Sequence, residues 1–172
     1  MARELIEGAV TVLGDFVSAD VVLPARHSFL PPEEMAVQVL KELSPEANAG
    51  VRSRPIIVAG EAFGYGTGRE SPARALRAAG VKAIVGGPFA RMFFRNAINN
   101  GLLVLDCPEL ARSGIADDDR IVIDVVNGAV TWGERRFDVP PVPEIIRNII
   151  AAGSLIDYGR AIVLAQAAGR SS

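Results

Sequence analysis

The sequence predicts an α/β fold with a mixed β-core and helices packed over it. Between residues 55 and 105, short runs rich in Val, Ile and Leu alternate with helix-like segments. This alternation is typical of parallel strands joined by helices. Between residues 121 and 132, two strand-like stretches flank Asn127-Gly128, a dipeptide favoured in two-residue hairpin turns. One parallel part and one antiparallel part together imply a mixed sheet.

The composition limits the classes of protein that remain possible. The chain has 172 residues, of which 49% are hydrophobic and 22% charged, and this predicts one globular domain spanning residues 1–172. No apolar run is long enough to cross a bilayer. The net charge of −2 argues against nucleic-acid binding, which needs a basic surface. Residues 1–7 carry acidic groups and no apolar signal core, so we expect a cytoplasmic protein.

The first part of the chain predicts a strand, an extended piece and a helix. Alternating apolar residues indicate a strand over residues 7–14, and residues 20–24 look extended up to Pro24. Apolar spacing after paired prolines predicts a helix over residues 32–43. Residues 44–54 contain helix breakers and polar side chains, so we expect a polar connector.

The second part predicts alternating strands and helices. The expected strands cover residues 55–59, 82–86 and 102–105, and the expected helices cover residues 71–79 and 89–99. Ser71 is placed to cap the first of these helices, with Pro72 at its first turn. Beyond the hairpin, residues 137–139 predict a third antiparallel strand, and two helices follow around Gly153. The acidic run at residues 117–119 is most simply a solvated turn.

A glycine-rich loop at residues 60–71, between a strand and a helix N-terminus, is the strongest candidate site. Its glycines allow backbone N–H groups to converge, and the helix dipole adds positive charge, so the loop should bind an anion. Thr67 supplies a hydroxyl and Arg69 a guanidinium suited to a carboxylate or phosphate. The alternative is a glycine-rich turn in which Arg69 pairs with Glu70 or Glu61. A dinucleotide fingerprint and a P-loop are both excluded by their missing residues.

The inventory of metal-binding residues is small. His27 is the only histidine, and metal ligands normally come in sets, so no metal site is expected. Cys107 is the only cysteine, which excludes an intramolecular disulfide and an iron–sulfur cluster held wholly by thiolates of this chain.

Three segments, in order, resemble the mobile swivel domain of the aconitase superfamily, especially the separately encoded small subunits of isopropylmalate isomerases. Residues 14–26 (GDFVSADVVLPAR) resemble the family's Gly-Asp-Asn-x-Asp-Thr-Asp-x-Ile-x-Pro-Ala-Arg. Residues 64–71 (GYGTGRES) resemble Gly-x-Gly-Ser-Ser-Arg-Glu-His, and the likeness continues through residues 80–85 and 89–103. The resemblance implies the swivelling β/β/α fold of this family.

The resemblance also implies a reaction. It is the dehydration and rehydration, or isomerisation, of a hydroxylated di- or tricarboxylate such as an isopropylmalate-like 2-alkylmalate. The [4Fe–4S] cluster would sit on a separate large subunit, and this chain would hold no cofactor. By position, Thr67 would be the base in place of serine, and Arg69, together with Gly66 and Gly68, would bind a substrate carboxylate. The alternative is a non-catalytic carboxylate-binding or regulatory subunit.

Substrate choice would depend on the loop that follows Pro24, where Arg26, His27 and Ser28 are the candidate contacts. Isopropylmalate isomerases have Arg-Tyr-Leu-x-Thr at this place, whereas this chain has Arg26-His27-Ser28-Phe29-Leu30. Gly68 also replaces a second serine, and Ser71 replaces a histidine. These departures favour a divergent hydro-lyase for which isopropylmalate is a poor substrate.

Overall fold

The computed structural model describes residues 5–169. The strands are β1 (Leu5–Leu13), β2 (Ile56–Ala59), β3 (Ala83–Gly86), β4 (Leu103–Asp106), β5 (Arg120–Asp124), β6 (Ala129–Trp132) and β7 (Arg135–Asp138). The helices are α1 (Ala19–Val22), α2 (Pro32–Gln38), α3 (Pro45–Ser53), α4 (Ser71–Ala78), α5 (Arg91–Asn99), α6 (Pro108–Ala111), α7 (Glu144–Ala152) and α8 (Leu155–Gly169). A short 3-10 helix covers Ala25–His27.

The seven described strands form one mixed sheet in the order β4-β3-β2-β1-β5-β6-β7. Strands β1 to β4 pair in parallel, and β5, β6 and β7 continue from β1 as an antiparallel ribbon. The carboxyl ends of the parallel strands therefore share one edge, where side chains from the connecting loops can meet. The predicted α/β fold with a mixed β-core is confirmed.

The sheet separates two apolar cores, and the parallel strands contribute to both. On β2, Ile57 packs with helices α2 to α5, whereas Ile56 and Val58 face the other core, which α6 and α7 help to cover. Alternate residues of a strand point to opposite faces, so a run buried on both sides must be apolar throughout. This explains why β2 and β3 appear in the sequence as unbroken apolar runs.

The structure corrects the prediction of an extended piece at residues 20–24, because α1 lies there. Ser18 starts this helix by accepting a hydrogen bond from the backbone N–H of Val21 at 3.2 Å. Four residues form only one turn, too short for a helical hydrophobic pattern to show.

Two further predictions for the first third of the chain were wrong. The helix predicted over residues 32–43 ends at Gln38, since Leu40 adopts a left-handed φ of 57° and donates its N–H to Val22 instead. The expected connector at residues 44–54 contains α3. Ser44 caps α3 and Pro45 occupies its first turn, while buried Asn48 donates to the Val39 carbonyl at 2.6 Å. The Ser-Pro start was a helix signal that the polar composition obscured.

The acidic run Asp117–Asp119 contributes more hydrogen bonds than a solvated turn would. Asp117 accepts from the N–H of Val12 at 2.7 Å, and Asp118 forms two hydrogen bonds with Arg54, at 2.7 and 2.8 Å. These contacts join the end of α3 to the start of β5. Paired carboxylate–guanidinium contacts fix geometry as well as charge.

The C-terminal helices α7 and α8 expose several large apolar side chains, among them Ile145, Ile156 and Leu164. No single helix in residues 5–169 has the length and apolar composition needed to cross a membrane. Only α7 and the segment Leu155–Ala168 together meet that criterion, and the two bend by 94° at their junction. Gly153 makes the bend with a φ of 103°, as the glycine at the junction predicted.

Candidate functional site

The glycine loop is anchored in the protein by a buried aromatic ring. Phe63 is fully buried, and its ring packs edge-to-face against Phe93 with centroids 5.2 Å apart. Gly64 has a φ of 82°, and a Cβ atom there would lie 2.3 Å from Phe93 Cγ. Only glycine allows helix α5 to approach the loop this closely. The loop is therefore held in place before any ligand binds.

Backbone hydrogen bonds fix the loop against the segment that follows β1. Phe16 and Ala19 donate their N–H groups to the carbonyls of Glu61 and Tyr65, at 2.7 and 2.8 Å. In return, Gly64 of the loop donates its N–H to the carbonyl of Val17 at 2.8 Å. The family-like segments at residues 14–26 and 64–71 are therefore in direct contact.

Arg69 is the centre of the polar cluster at the loop. Its Nη1 donates to Ser28 Oγ at 2.5 Å, its Nε donates to Thr67 Oγ1 at 3.2 Å, and its Nη2 pairs with the Asp20 carboxylate. The Arg69 side chain is 27% exposed and that of Asp20 is 57% exposed. The guanidinium is thus oriented by three partners on a surface that is still open to solvent.

Thr67 and the two neighbouring glycines lie at the exposed edge of this cluster. Thr67 is half-buried, and its Oγ1 also accepts weakly from the Arg69 N–H at 3.4 Å. Gly66 has a φ of 106° and lies beside Asp20, whereas Gly68 lies against the Met92 side chain. A positively charged donor on the threonine oxygen stabilises the alkoxide relative to the alcohol.

The structure brings together Thr67, Arg69, Gly66, Gly68 and Ser28, but it places Arg26 and His27 differently. Arg26 is exposed and its guanidinium pairs with Glu42. His27 is half-buried at the end of the 3-10 helix. Within residues 5–169, no hydrogen bond joins either side chain to the glycine loop. Their role in substrate choice stays a prediction.

Sequence reasoning missed three polar residues of this site. Asp20 joins the cluster through its ion pair with Arg69. Ser71 joins it by donating its hydroxyl to Ser28 Oγ at 3.0 Å. Ser71 does not cap α4 as predicted: the cap position is Glu70, without a side-chain bond. The third is Asn96. Its only sequence signal was an amide on the apolar side of α5.

Asn96 supports the loop from behind. It is 7% exposed, and its Nδ2 donates to the carbonyls of Gly68 and Arg69 at 2.9 and 3.1 Å. We expect Asn96→Ala to lower the free energy of unfolding by about 1–3 kcal/mol, because two partly buried carbonyls lose the buried amide that donates to them. Urea denaturation measures this change. Asn99→Ala, on the same helix, is the matched control and should cost about 0.5 kcal/mol or less. Equal losses in both variants would contradict a supporting role for Asn96.

The metal-binding capacity of the described residues is low. No group of three or more His, Cys, Asp or Glu side chains in residues 5–169 is arranged to hold a metal ion. Cys107 is buried before α6, and this burial raises the pKa of its thiol. A thiol held in the protonated form is a poor metal ligand. The single thiol does not fit the ligand set of an iron–sulfur cluster.

The chain is similar to characterised families and structures. Residues 43–110 match the Aconitase C-terminal domain family. The chain is 39% identical to the 3-isopropylmalate dehydratase small subunit of Saccharolobus islandicus, over 90% of this chain and 93% of the relative. It is 35% identical to 3-isopropylmalate dehydratase small subunit 1 of Archaeoglobus fulgidus, over 90% and 97%.

The fold has a solved counterpart. The crystal structure of 3-isopropylmalate dehydratase (leuD) from Methanocaldococcus jannaschii is similar with a TM-score of 0.84 and 30% identity. The match covers 96% of this chain and 99% of that one. The predicted likeness to the aconitase superfamily is thereby confirmed, and with it the assignment as one subunit of a hydro-lyase that works with a larger subunit. The chain belongs to the family of 3-isopropylmalate dehydratase small subunits, within the aconitase superfamily.

Proposed function

We propose that this chain closes over a large subunit carrying a [4Fe–4S] cluster, and that the pair dehydrates and rehydrates a 2-substituted malate or related hydroxy-polycarboxylate. The observation that carries this proposal is the cluster at the glycine loop, where Arg69 donates to both Thr67 and Ser28. One hydroxyl and one guanidinium side by side suit a substrate with an acidic C–H next to a carboxylate. The names of the relatives support 3-isopropylmalate as one member of the substrate class.

In this proposal Thr67 Oγ1 handles the proton. The alkoxide form of Thr67 takes the proton from the carbon next to a carboxylate, so a C–H bond breaks and an O–H bond forms. The electron pair left on carbon forms the double bond as the neighbouring hydroxyl departs. The cluster of the partner supplies a Lewis acid for that hydroxyl. The hydrogen bond from Arg69 Nε favours the alkoxide, and the proton returns from Thr67 during rehydration.

Arg69 binds a substrate carboxylate in this proposal, and its present contacts leave room for one. The ion pair with Asp20 is partly exposed, and exposed ion pairs contribute only about 0–1 kcal/mol. A substrate carboxylate can therefore replace Asp20 at small cost. Ser28 keeps the other guanidinium nitrogen in place during this exchange.

Three further assignments concern the domain, the cellular location and the choice of substrate. We infer one domain over residues 1–172, because one sheet contains all the strands described in residues 5–169. We also infer that the pair works in the cytoplasm, where a single unpaired cysteine such as Cys107 stays reduced. Arg26, His27 and Ser28 are proposed to select the side chain of the substrate.

The second candidate function is a non-catalytic carboxylate-binding or regulatory subunit. It is favoured by the engagement of Arg69 with three groups of its own chain. It is also favoured by Gly68 and Ser71, which replace two polar residues of the family motif. In this role the loop would bind carboxylates without proton transfer.

Reconstitution with the large subunit of the same organism tests both functions. We expect hydration and dehydration only when both subunits are present, and no iron in the purified small subunit. 3-Isopropylmalate should be turned over less efficiently than another alkyl- or carboxyalkyl-malate, because residues 26–30 differ from the pattern of isopropylmalate isomerases. A change of one or two side chains in a substrate pocket alters the discrimination between two substrates by about 1–3 kcal/mol. Absorbance of the unsaturated product measures each rate.

Three outcomes would contradict these expectations. Activity of the small subunit alone would overturn the two-subunit mechanism. Carboxylate binding by the pair without turnover of any member of the panel would favour the regulatory function. Preferred turnover of 3-isopropylmalate would refute the substrate expectation that was based on residues 26–30.

A further inference from the structure

Four large exposed side chains surround the glycine loop, and we call them the apolar rim. They are Phe16, Phe29, Tyr65 and Met92, which are 61%, 98%, 45% and 52% exposed. Every other aromatic or methionine side chain in residues 5–169 is buried or only partly exposed. The exposed aromatic surface is therefore concentrated at one place on the described protein.

Each member of the apolar rim borders the polar cluster. Tyr65 belongs to the glycine loop, and Phe16 donates its N–H to Glu61 at the start of that loop. Phe29 follows Ser28, the hydroxyl partner of Arg69. Met92 lies against Gly68, since a Cβ atom there would be 3.3 Å from Met92 Cε. A protein that covers Thr67 and Arg69 would therefore lie next to the segments that carry these four side chains.

Phe16 combines two features that are unfavourable in an isolated chain. Its backbone has a φ of 56°, a left-handed conformation that is rare for a bulky residue. Its ring is also mostly exposed to water. The motif that this segment resembles has asparagine here, a residue that tolerates left-handed φ. Burial of the ring in a partner's pocket would offset both costs, and strained residues tend to occur at functional sites.

A second exposed apolar surface lies on α8, where Ile156, Val163 and Leu164 are 66%, 64% and 71% exposed. It consists of aliphatic side chains on a helix that is exposed along most of its length. The apolar rim differs in its composition, because aromatic residues and methionine are enriched at protein interfaces. It also differs in its place, because its members lie on the glycine loop or on segments that contact it.

We propose that the apolar rim is the docking surface for the large subunit, with Phe16 and Phe29 as its anchors. The identity of this occupant rests on the proposed function, which requires a partner to bring a Lewis acid to Thr67 and Arg69. The rim supplies affinity for the partner and takes no part in the chemistry at Thr67 and Arg69. A few buried aromatic side chains commonly supply most of the affinity of such an interface.

The test measures the affinity of the purified large subunit for small-subunit variants by titration calorimetry. Phe16→Asn and Phe29→Ser should each weaken the affinity at least tenfold. Phe16→Asn should also raise the melting temperature of the isolated chain by about 2–4 °C, because asparagine adopts the left-handed φ of residue 16 at a lower energy cost. At saturating concentrations of small subunit, the kcat of the Phe16→Asn pair should equal that of the wild type. Gain of stability with loss of affinity is not expected of a residue that only supports the fold.

Two control variants remove similar apolar groups elsewhere. Leu5→Thr changes a 46% exposed side chain at the opposite end of β1, and Ile156→Ser changes the α8 surface. Neither should alter the affinity for the large subunit. Loss of affinity in Ile156→Ser, with normal binding by both rim variants, would move the docking surface to α8 and overturn the proposal.

Other results would also overturn the proposal. Normal affinity with a raised KM in the rim variants would assign these side chains to the substrate. Dimers of the isolated wild-type chain that Phe16→Asn dissociates, with unchanged affinity for the large subunit, would make the rim a contact between copies. Binding is measured without turnover, so an inactive pair that still loses affinity in the rim variants would refute the proposed function alone.

Discussion

Thr67→Ala is expected to lower the turnover number of the assembled pair by about 10²–10⁴, the usual contribution of a general acid–base group. The Michaelis constant should change little, because the hydroxyl acts on the proton only in the transition state. The side chain is half-buried on an anchored loop, and its Oγ1 accepts from Arg69 Nε at 3.2 Å. Single-turnover exchange of the substrate proton with deuterated solvent measures this step directly.

Two further substitutions at position 67 separate chemistry from packing. Thr67→Ser keeps the hydroxyl and should retain activity, whereas Thr67→Val keeps the shape and should be as inactive as Thr67→Ala. Both should bind the large subunit with wild-type affinity. Full proton exchange by a well-folded Thr67→Ala variant would rule out Thr67 as the base. The small subunit would then be a carboxylate-binding lid.

The parallel core was predictable from the sequence because its signals are local and strong. Strands such as β2 are buried on both faces, so they appear as unbroken apolar runs between helix-like segments. The β5–β6 hairpin was marked by Asn127-Gly128, and Gly128 has a positive φ of 70°. The loop is longer than the two-residue turn that this dipeptide favours, because Asp124 pairs with Ala129 and leaves four residues between the strands. The predicted strands and helices between residues 55 and 106 were correct to within one or two residues at each end.

The errors fell where a few residues decide the conformation through distant contacts. Helix α2 stops early because Leu40 bonds to Val22, and α3 is anchored by buried Asn48 on the carbonyl of Val39. Neither contact has a periodic signature in the sequence. Short helices such as α1 leave too few positions for a pattern.

The site was predictable only as far as it lies on one continuous loop. Thr67 and Arg69 are two residues apart, so the motif alone placed them together. Ser28 and Asp20 reach Arg69 from 41 and 49 residues away in sequence, and Asn96 lies 27 residues beyond it. Only the assembly of α1, the 3-10 helix and α5 around the loop brings them within hydrogen-bonding distance. A sequence without its fold cannot show which distant polar residues share one guanidinium.

Arg69→Ala is expected to lower kcat/KM of the assembled pair by about 10²–10⁴. Two charge-assisted hydrogen bonds to a substrate carboxylate contribute about 1.5–3 kcal/mol each, and their loss affects both capture and orientation. Arg69→Lys retains the charge but loses the planar fork that holds Ser28 and a carboxylate together. It should therefore raise KM strongly and reduce kcat less than alanine does. Steady-state kinetics over a range of substrate concentrations separates the two constants.

Arg74→Ala is the matched control, because Arg74 is an exposed arginine on the helix that follows the same loop. Arg74→Ala removes one positive charge, as Arg69→Ala does, and should leave kcat/KM within about twofold of the wild type. The comparison with Thr67 provides a second control, since only the loss of Arg69 should weaken equilibrium binding of a non-reacting dicarboxylate to the pair. Unchanged dicarboxylate binding in a folded Arg69→Ala variant would remove Arg69 from the substrate site. Its hydrogen bonds to Thr67, Ser28 and Asp20 would then serve only to hold the loop.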